Sequence, residues 1–366
     1  MNYLFFFVHP SKFHVFRNTI NYLIKQGHSA EIVITSKDVL EELVKKEGWK
    51  YTNIFPEGRK IKGLSPIISS AINLVRTIYR LYIYTKGKKY DLFVTDDLLV
   101  FLSQWLKVPS IVFTDDDISV TRQFSIILSR ANYILAPEIT DLGKYNLKKI
   151  GFPGYKELAY LHPKVFKPRI EIVKSFNPTL KRYFLIRLVS LRAYHDVGMN
   201  GLTNDQVHKI ISLLETKGKV FISAERELPE QFEKYRLIID PEKIAHALYY
   251  AELFIGDSQT MTSEAAVLGT PAFRCNDFAG KISVMDEKEE KYELSYNYYT
   301  KDFDKMYDKL EHIISHKNIK EEFSKKREKM LSEKINLSEF MIWLFENYPM
   351  SIKKIEKEPN FINEFK

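Results

Sequence analysis

The first part of the chain alternates between short apolar runs and segments with helical spacing. Tyr3–Val8 is a continuous apolar run, which is typical of a parallel strand buried on both faces. Residues 13–26 follow with apolar side chains at helical spacing, and Gly27 is a plausible helix stop. Ala30–Thr35 and residues 37–47 repeat the strand and the helix. This rhythm predicts a doubly wound α/β sheet.

The same alternation continues through both halves of the chain. Apolar runs predict further strands at Asp91–Val94, Ser110–Phe113, Tyr133–Ala136, Tyr183–Val189, Val220–Ser223, Leu253–Ile255 and Pro271–Arg274. Helical spacing predicts helices at Thr203–Gly218, Pro241–Ala251, Thr262–Leu268 and residues 317–334.

The 366 residues are about twice a typical domain length, which favours two domains. A proline-containing stretch at 162–180 is the predicted linker. We therefore expect one Rossmann-like domain at 1–163 and a second at 168–335, with the C-terminal helix of 336–366 packing back on the first. Ligand loops follow the carboxyl ends of parallel strands, so two such domains facing each other would form a binding cleft.

Composition narrows the class of protein. Hydrophobic residues make up 45% and charged residues 28%, which is ordinary for a globular chain. The single cysteine, Cys275, excludes an intramolecular disulfide and a cysteine-rich metal site. The apolar run Tyr3–Val8 is too short for a secretory signal, and no run approaches the roughly 20 residues of a spanning helix. We expect a cytoplasmic protein.

The excess of basic residues is concentrated in the first part of the chain. Residues 1–160 hold 22 Lys/Arg against 15 Asp/Glu, whereas the rest hold 33 against 32. Between Glu57 and Asp91 there are 33 residues without an acid, in which basic and apolar side chains interleave. The segment 59–89 therefore predicts either a helix on an anionic membrane surface or a core helix with a basic solvent face. Nucleic acid is not expected, because no RNA- or DNA-binding motif accompanies the charge.

One turn in the second half resembles an anion site. After the predicted strand come four polar residues, Asp257, Ser258, Gln259 and Thr260. A helix predicted to start near Thr262 would aim its N–H groups and dipole at a diphosphate. Glu264, in the predicted first turn, could accept from ribose hydroxyls. The alternative is simple helix capping by Thr262 or Ser263.

Three further loops carry candidate chemistry. Arg192 and His195, in the loop 190–198, could face phosphate, and His195 could transfer a proton, although a solvated polar loop is equally compatible. His9, Ser11 and His14 follow the first strand; either histidine could be a base, and either could be structural. A metal site there lacks a third ligand.

The acidic loop 114–117 contains Asp115, a candidate base or cation ligand, for which helix capping is the alternative.

Several long segments match a known family in the correct order. They are HPSKFHVFRN (9–18), GYKELAYLHP (154–163), AYHDVG (193–198), VFISAERELP (220–229), KYRLIIDPEKIAHALYYAELFIGDSQTM (234–261) and SEAAVLGTPAFR (263–274). By these segments the chain resembles the GT-B-like proteins of domain-of-unknown-function family 354. More distantly it is similar to UDP-N-acetylglucosamine 2-epimerases and to the peptidoglycan N-acetylglucosaminyltransferase.

The resemblance implies a GT-B fold whose second domain holds a UDP-sugar. The turn 257–260 would hold the diphosphate and Glu264 the ribose, although the two glycines of the epimerase turn are absent. The matching segments add Ser223, Ile238 and His246 to the expected substrate-binding residues, with 238–247 forming the base pocket mainly through backbone groups. The epimerase His-Arg pair is replaced by the separated Arg192 and His195.

These observations support three hypotheses. The first is a glycosyltransferase that moves a sugar from a nucleotide-sugar to a surface-polysaccharide or lipid-linked acceptor, with His9, His14 or Asp115 as base. It needs no cofactor and no divalent metal if Arg192 and the helix N-terminus neutralise the diphosphate. The second is a nucleotide-sugar 2-epimerase, and the third is a non-catalytic nucleotide-sugar-binding protein. The first two hypotheses predict an enzyme. If the segment 59–89 contacts a membrane surface, this enzyme would be a peripheral membrane protein.

Overall fold

The chain divides into two compact units. A computed structural model describes residues 1–35, 39–59, 66–190, 201–277, 280 and 282–366. The first unit contains Met1–Tyr160 and Ile335–Lys366, and the second contains Leu161–Lys334. Each unit has its own parallel sheet flanked by helices, which confirms the predicted α/β class with two doubly wound sheets.

The first unit is built on a sheet of seven strands within the described residues. The strands are β1 (Asn2–Phe7), β2 (Ser29–Ile34), β3 (Tyr51–Asn53), β4 (Leu92–Thr95), β5 (Ser110–Phe113), β6 (Tyr133–Pro137) and β7 (Lys149–Phe152). Their order is β3-β2-β1-β4-β5-β6-β7, and all neighbours are parallel. The central β1 is buried from Tyr3 to Phe7, as a continuous apolar run requires.

Two helical layers cover this sheet. The helices are α1 (Pro10–Lys25), α2 (Leu40–Glu47), α3 (Pro66–Thr85), α4 (Val100–Leu106), α5 (Ser125–Arg130) and the short α6 (Leu158–Leu161). Helices α3 and α4 pack over Phe6 and Phe93, whereas α1 packs against Phe5 through Phe16. Among the described residues, no helix is long and apolar enough to cross a membrane.

The C-terminal segment completes the first unit. It contains α14 (Leu337–Glu346) and α15 (Met350–Lys357), and α14 lies against α1. The hydroxyl of Tyr3 donates to the carbonyl of Phe345 at 2.9 Å, and the hydroxyl of Ser338 donates to the carbonyl of Ala159 at 2.5 Å. The tail is therefore part of the core of the first unit.

The second unit is built on a sheet of five parallel strands within the described residues. The strands are β8 (Tyr183–Leu188), β9 (Lys219–Ala224), β10 (Leu253–Gly256), β11 (Ala272–Cys275) and β12 (Ser295–Tyr298). Their order is β12-β11-β10-β8-β9. The helices are α7 (Ile170–Phe176), α8 (Asn204–Glu215), α9 (Ile244–Tyr250), α10 (Gln259–Leu268), α11 (Ser283–Glu290), α12 (Phe303–Ser315) and α13 (Ile319–Glu333).

The stretch predicted as a linker, 162–180, is not simply a connection. It contains α7, whose Val173 is buried, and the boundary between the units falls earlier, after Tyr160. The prolines that suggested a linker stand at the ends of this segment and leave room for a helix between them. How the two units face each other stays a prediction.

A close contact between two strands fixes the centre of the second sheet. Gly256 in β10 lies opposite Arg187 in β8, and a Cβ at Gly256 would lie 2.3 Å from the carbonyl oxygen of Arg187. No side chain fits at that separation. Glycine is therefore needed at the carboxyl end of β10 because the neighbouring backbone approaches too closely.

We expect Gly256→Ala to lower the free energy of unfolding by about 2 kcal/mol or more, because the new methyl group overpacks the β8–β10 contact. Urea unfolding followed by circular dichroism measures the change. The matched control is Gly151→Ala in β7, where a Cβ would meet its nearest atom at 3.4 Å. That control should be neutral or slightly stabilising; equal losses in both variants would contradict the close-contact account.

Candidate functional site

The turn after β10 places the N-terminus of α10 at the carboxyl edge of the second sheet. Ser258 is the N-cap: its Oγ accepts from the backbone N–H of Met261 at 3.3 Å. The hydroxyl of Thr262 donates to the Ser258 carbonyl at 2.7 Å. At the other end Gly269, with φ of 77°, stops the helix. Helix α10 thus starts at Gln259, three residues before the predicted start near Thr262.

This N-terminus has the geometry of an anion site. The N–H groups of Gln259 and Thr260 belong to the first turn and have no partner within the helix itself. Residues 258–260 are partly exposed, whereas the side chains from Met261 to Leu268 are buried. The positive end of the helix dipole and the first N–H groups are therefore presented at the surface. An anion such as a phosphate matches this arrangement.

The prediction that Glu264 stands in the first turn of the helix is wrong. Because Ser258 caps the helix, Glu264 is its sixth residue, and only 8% of it is exposed. The capping alternative at Thr262 or Ser263 is wrong for the same reason. Glu264 thus lies one turn deeper than expected, below the exposed residues of the turn.

Asp257 is a buried carboxylate directly before the N-cap. Its Oδ1 accepts from the backbone N–H of Val189 at 2.7 Å, which ties the end of β10 to the end of β8. Its Oδ2 is buried and has no hydrogen-bond partner among the described residues. Burial raises the pKa of Asp257 to about 6, against the opposing effects of the Val189 hydrogen bond and of Arg226 and Arg187.

Arg187 is a site residue that the sequence analysis missed. It is the second-to-last residue of β8 and pairs with Ser223 in β9, and its Nη1 donates to the Ser223 hydroxyl at 2.6 Å. Its Nη2 contacts Glu225, and its buried Nε has no partner among the described residues. A cation inside the apolar run YFLIRL was the available signal. The predicted Arg192 and His195 lie outside the described residues.

The predicted residues Ile238 and His246 lie in different environments. Ile238 is 83% exposed, on the segment before α9. His246 is buried in α9, where its Nδ1 accepts from the backbone N–H of Arg169 at 3.1 Å and its ring packs on Phe166. Burial lowers the pKa of His246. The imidazole therefore already holds the segment before α7 in place.

In the first unit, Asp115 lies between two lysines at the carboxyl end of β5. Its Oδ1 is 3.1 Å from Lys12 Nζ, and its Oδ2 is 2.6 Å from Lys156 Nζ. Burial alone would raise the pKa of Asp115, but the two ammonium groups outweigh burial and hold it well below the usual range. A carboxylate stabilised in this way is a weak proton acceptor, so the geometry favours a structural ion pair over a base.

The two histidines predicted near β1 also have partners. His9 caps α1, since its Nδ1 accepts from the backbone N–H of Ser11 at 3.2 Å. The His14 ring packs between Phe13 and Tyr160, at 5.3 Å and 5.4 Å between ring centres. Burial, with a smaller effect of Arg17, lowers the pKa of His14 to about 4. His14 is therefore neutral at physiological pH and a weak base.

Asp96, which the sequence analysis did not single out, is a further buried carboxyl group. It follows β4, beside β1, and is 7% exposed. Its Oδ1 has no hydrogen-bond partner among the described residues. Burial raises the pKa of Asp96 to about 7, although Lys12 opposes this effect. A carboxyl group with such a pKa can take up or release a proton near neutral pH.

A family model described as "Protein of unknown function (DUF354)" matches residues 7–337. The chain belongs to the DUF354 family. No curated protein matches this DUF354 chain.

Solved structures show the fold of this DUF354 protein. UDP-GlcNAc 2-epimerase from Neisseria meningitidis, bound to UDP-GlcNAc, aligns with a TM-score of 0.63 at 12% identity, over 95% of this chain and 100% of that one. MurG from Acinetobacter baumannii gives 0.58 at 12%, over 94% and 99%. The spinosyn rhamnosyltransferase SpnG, complexed with thymidine diphosphate, gives 0.60 at 12%, over 95% and 100%. The DUF354 chain therefore has a GT-B fold, as the sequence predicted.

We expect Asp257→Asn to change the pH dependence of stability. The pKa of Asp257 is about 6 in the folded protein against 3.8 as the ordinary value, so the stability that its protonation gives is present below about pH 4 and is lost as the pH rises through about 6. The free energy of unfolding of the variant relative to wild type should rise over that range, by up to roughly 3 kcal/mol.

Urea titrations at several pH values measure this difference. The matched control is Asp308→Asn on α12, where the carboxylate is exposed. The control should show little change relative to wild type across the same range. A difference for Asp257→Asn that stays constant with pH would contradict the burial of an ionisable carboxyl group at this position.

Proposed function

We propose that this protein is a glycosyltransferase that uses a nucleotide-sugar, with UDP as the carrier, and transfers the sugar to a glycan or lipid-linked acceptor. The observation that carries the proposal is the partly exposed N-terminus of α10, capped by Ser258, at the carboxyl end of β10. Ligands of parallel α/β sheets bind at this edge. Structures of similar fold hold UDP-GlcNAc and thymidine diphosphate, which supports a nucleotide-sugar as ligand.

In this proposal the diphosphate lies against the first turn of α10. The backbone N–H groups of Gln259 and Thr260 and the Ser258 hydroxyl donate to its oxygens. Arg187, fixed by Ser223 at 2.6 Å and by Glu225, adds a positive charge at the neighbouring strand end. Glu264 accepts from the ribose hydroxyls, and Ile238 offers an exposed apolar surface to the base.

The same groups would assist the departure of the diphosphate. Negative charge grows on the leaving oxygens as the bond to the sugar breaks, and fixed donors aimed at those oxygens stabilise the transition state more than the ground state. The helix N-terminus and an arginine supply this stabilisation without a divalent cation. That the reaction proceeds without a metal or other cofactor is part of the proposal.

On the acceptor side we propose Asp96 as the base that deprotonates the attacking hydroxyl. Its pKa of about 7 suits proton transfer at neutral pH, and one of its carboxyl oxygens has no partner among the described residues. His9, His14 and Asp115 remain the alternatives predicted from sequence. Asp115 is the weakest of them, because Lys12 and Lys156 hold it as a carboxylate.

We expect Glu264→Gln to weaken the binding of UDP by roughly tenfold to a hundredfold, because charge-assisted hydrogen bonds to the ribose are lost. The amide keeps the shape of the buried side chain. Isothermal titration calorimetry with UDP measures the affinity. The matched control is Glu215→Gln at the exposed end of α8, which should leave the affinity unchanged.

Unchanged affinity in Glu264→Gln would place the nucleotide elsewhere and would contradict the proposed pocket.

Turnover of UDP-sugars in heavy water distinguishes sugar transfer from 2-epimerisation. Release of UDP with an acceptor, and no deuterium at the sugar C2, is expected for transfer. Deuterium at C2 without an acceptor would instead favour a 2-epimerase. The similarity of the fold to that of a UDP-GlcNAc 2-epimerase supports this alternative. Binding without any turnover would favour a non-catalytic nucleotide-sugar-binding protein.

A further inference from the structure

The outer face of α3 exposes a row of large apolar side chains. We call these residues the α3 stripe; they are Ile68, Ile72, Val75, Tyr79, Tyr82 and Ile83. Their spacing along the helix places them on one side. Val75 and Tyr79, at its centre, are 65% and 63% exposed. Exposed apolar side chains are common singly, but a contiguous row indicates a binding surface.

The opposite face of α3 is already used by the core. Leu81 and Thr77 are buried, and Ile78 packs on the cores beneath α3 and α4. The helix is therefore apolar on both its inner and its outer face. A surface helix ordinarily has a polar outer face, so the stripe is not explained by the folding of the first unit.

The layer that contains the stripe carries positive charge. Helices α3, α4 and α5 contain three arginines, Arg76, Arg80 and Arg130, and no aspartate or glutamate. Beyond the end of α3, Lys86 and Lys89 are exposed. An anionic surface would complement this layer.

Arg76 and Arg80 are held rigidly beside the stripe. Their guanidinium groups lie over the Phe55 ring, at 5.0 Å and 4.3 Å from its centre, and both bind Glu57. Arg80 also lines a groove of about 430 Å³, whose other lining residues are Thr52, Ile54, Tyr79, Ile83 and Tyr84. The stripe is thus continuous with an apolar groove that has an arginine at its side.

A large aromatic side chain lies in the same helical layer. Trp105 on α4 is 66% exposed, and α4 contacts α3. Tryptophan and tyrosine are the residues that favour the boundary between water and lipid, because each combines an apolar ring with a polar group. The layer therefore combines exposed aliphatic side chains, interfacial aromatic rings and basic groups.

We propose that the α3 stripe, with Trp105, docks on an anionic lipid bilayer, with α3 lying along the surface. The apolar side chains enter the headgroup boundary, and Arg76, Arg80, Lys86 and Lys89 lie near lipid phosphates. A second copy of this chain fits less well, because each face carries Arg76, Arg80, Lys86 and Lys89 against the carboxylate of Glu57, and two faces with such an excess of positive charge would repel each other. This inference does not depend on the proposed transferase activity.

Co-sedimentation of the full chain with vesicles tests the proposal without any donor or acceptor. Wild type should pellet with phosphatidylcholine vesicles that contain phosphatidylglycerol, and much less with pure phosphatidylcholine vesicles. High salt should release it. The double substitution Val75→Ser with Tyr79→Ser should weaken binding by about tenfold or more, since it removes apolar area from the stripe. Both positions are exposed, so the fold should survive.

Charge is tested separately by Lys86→Gln with Lys89→Gln, which should weaken binding by roughly tenfold. The matched control is Leu147→Ser with Met350→Ser, which removes two exposed apolar side chains from other parts of the first unit. The control should bind vesicles as wild type does.

Three outcomes would overturn the proposal. The first is no binding of wild type to anionic vesicles at low salt. The second is binding that the stripe variant retains in full. The third is a wild-type dimer in solution that the stripe variant abolishes, which would assign the stripe to self-association. Sedimentation velocity of both proteins distinguishes this third outcome.

Discussion

The close approach of β10 to β8 at Gly256 is the constraint on which the second unit depends. A Cβ there would lie 2.3 Å from the carbonyl of Arg187, so the two backbones can come together only at glycine. The contact aligns the ends of both strands, and the carboxylate of Asp257 then receives the N–H of Val189 at 2.7 Å. With Asp257 held in this way, Ser258 follows at once as the N-cap. Strand packing thus fixes where the turn begins, and the Ser258 side chain then caps the exposed N-terminus of α10.

Much of the fold could be predicted because the central strands carry a strong signal. A strand buried on both faces, such as β1, β8 or β10, is a continuous apolar run that little else in a globular chain resembles. The strands without a prediction are β3, β7 and β12, with sequences YTN, KIGF and SYNY. All three strands are short, carry polar residues and lie at sheet edges. Whether such a segment forms a strand depends on its pairing with a neighbouring strand, and the local sequence pattern does not reveal that pairing.

The candidate site was predictable in its location but not in its detail. The turn after β10 was visible because small and polar residues interrupt an apolar strand. The start of α10 was not, since Ser258, Thr262 and Ser263 can each cap a helix and only the three-dimensional contact of Ser258 with Met261 decides between them. Arg187 was hidden inside a strand. The burial that shifts the pKa values of Asp96 and Asp257 comes from residues distant in the chain, so no local motif contains it.

The central claim is that the first turn of α10 binds the diphosphate of a nucleotide. A crystal structure of the full chain with UDP tests it most directly. The account predicts phosphate oxygens within hydrogen-bond distance of the backbone N–H groups of Gln259 and Thr260, with the Ser258 hydroxyl and Arg187 nearby. A nucleotide bound with its phosphates away from this turn would contradict the account.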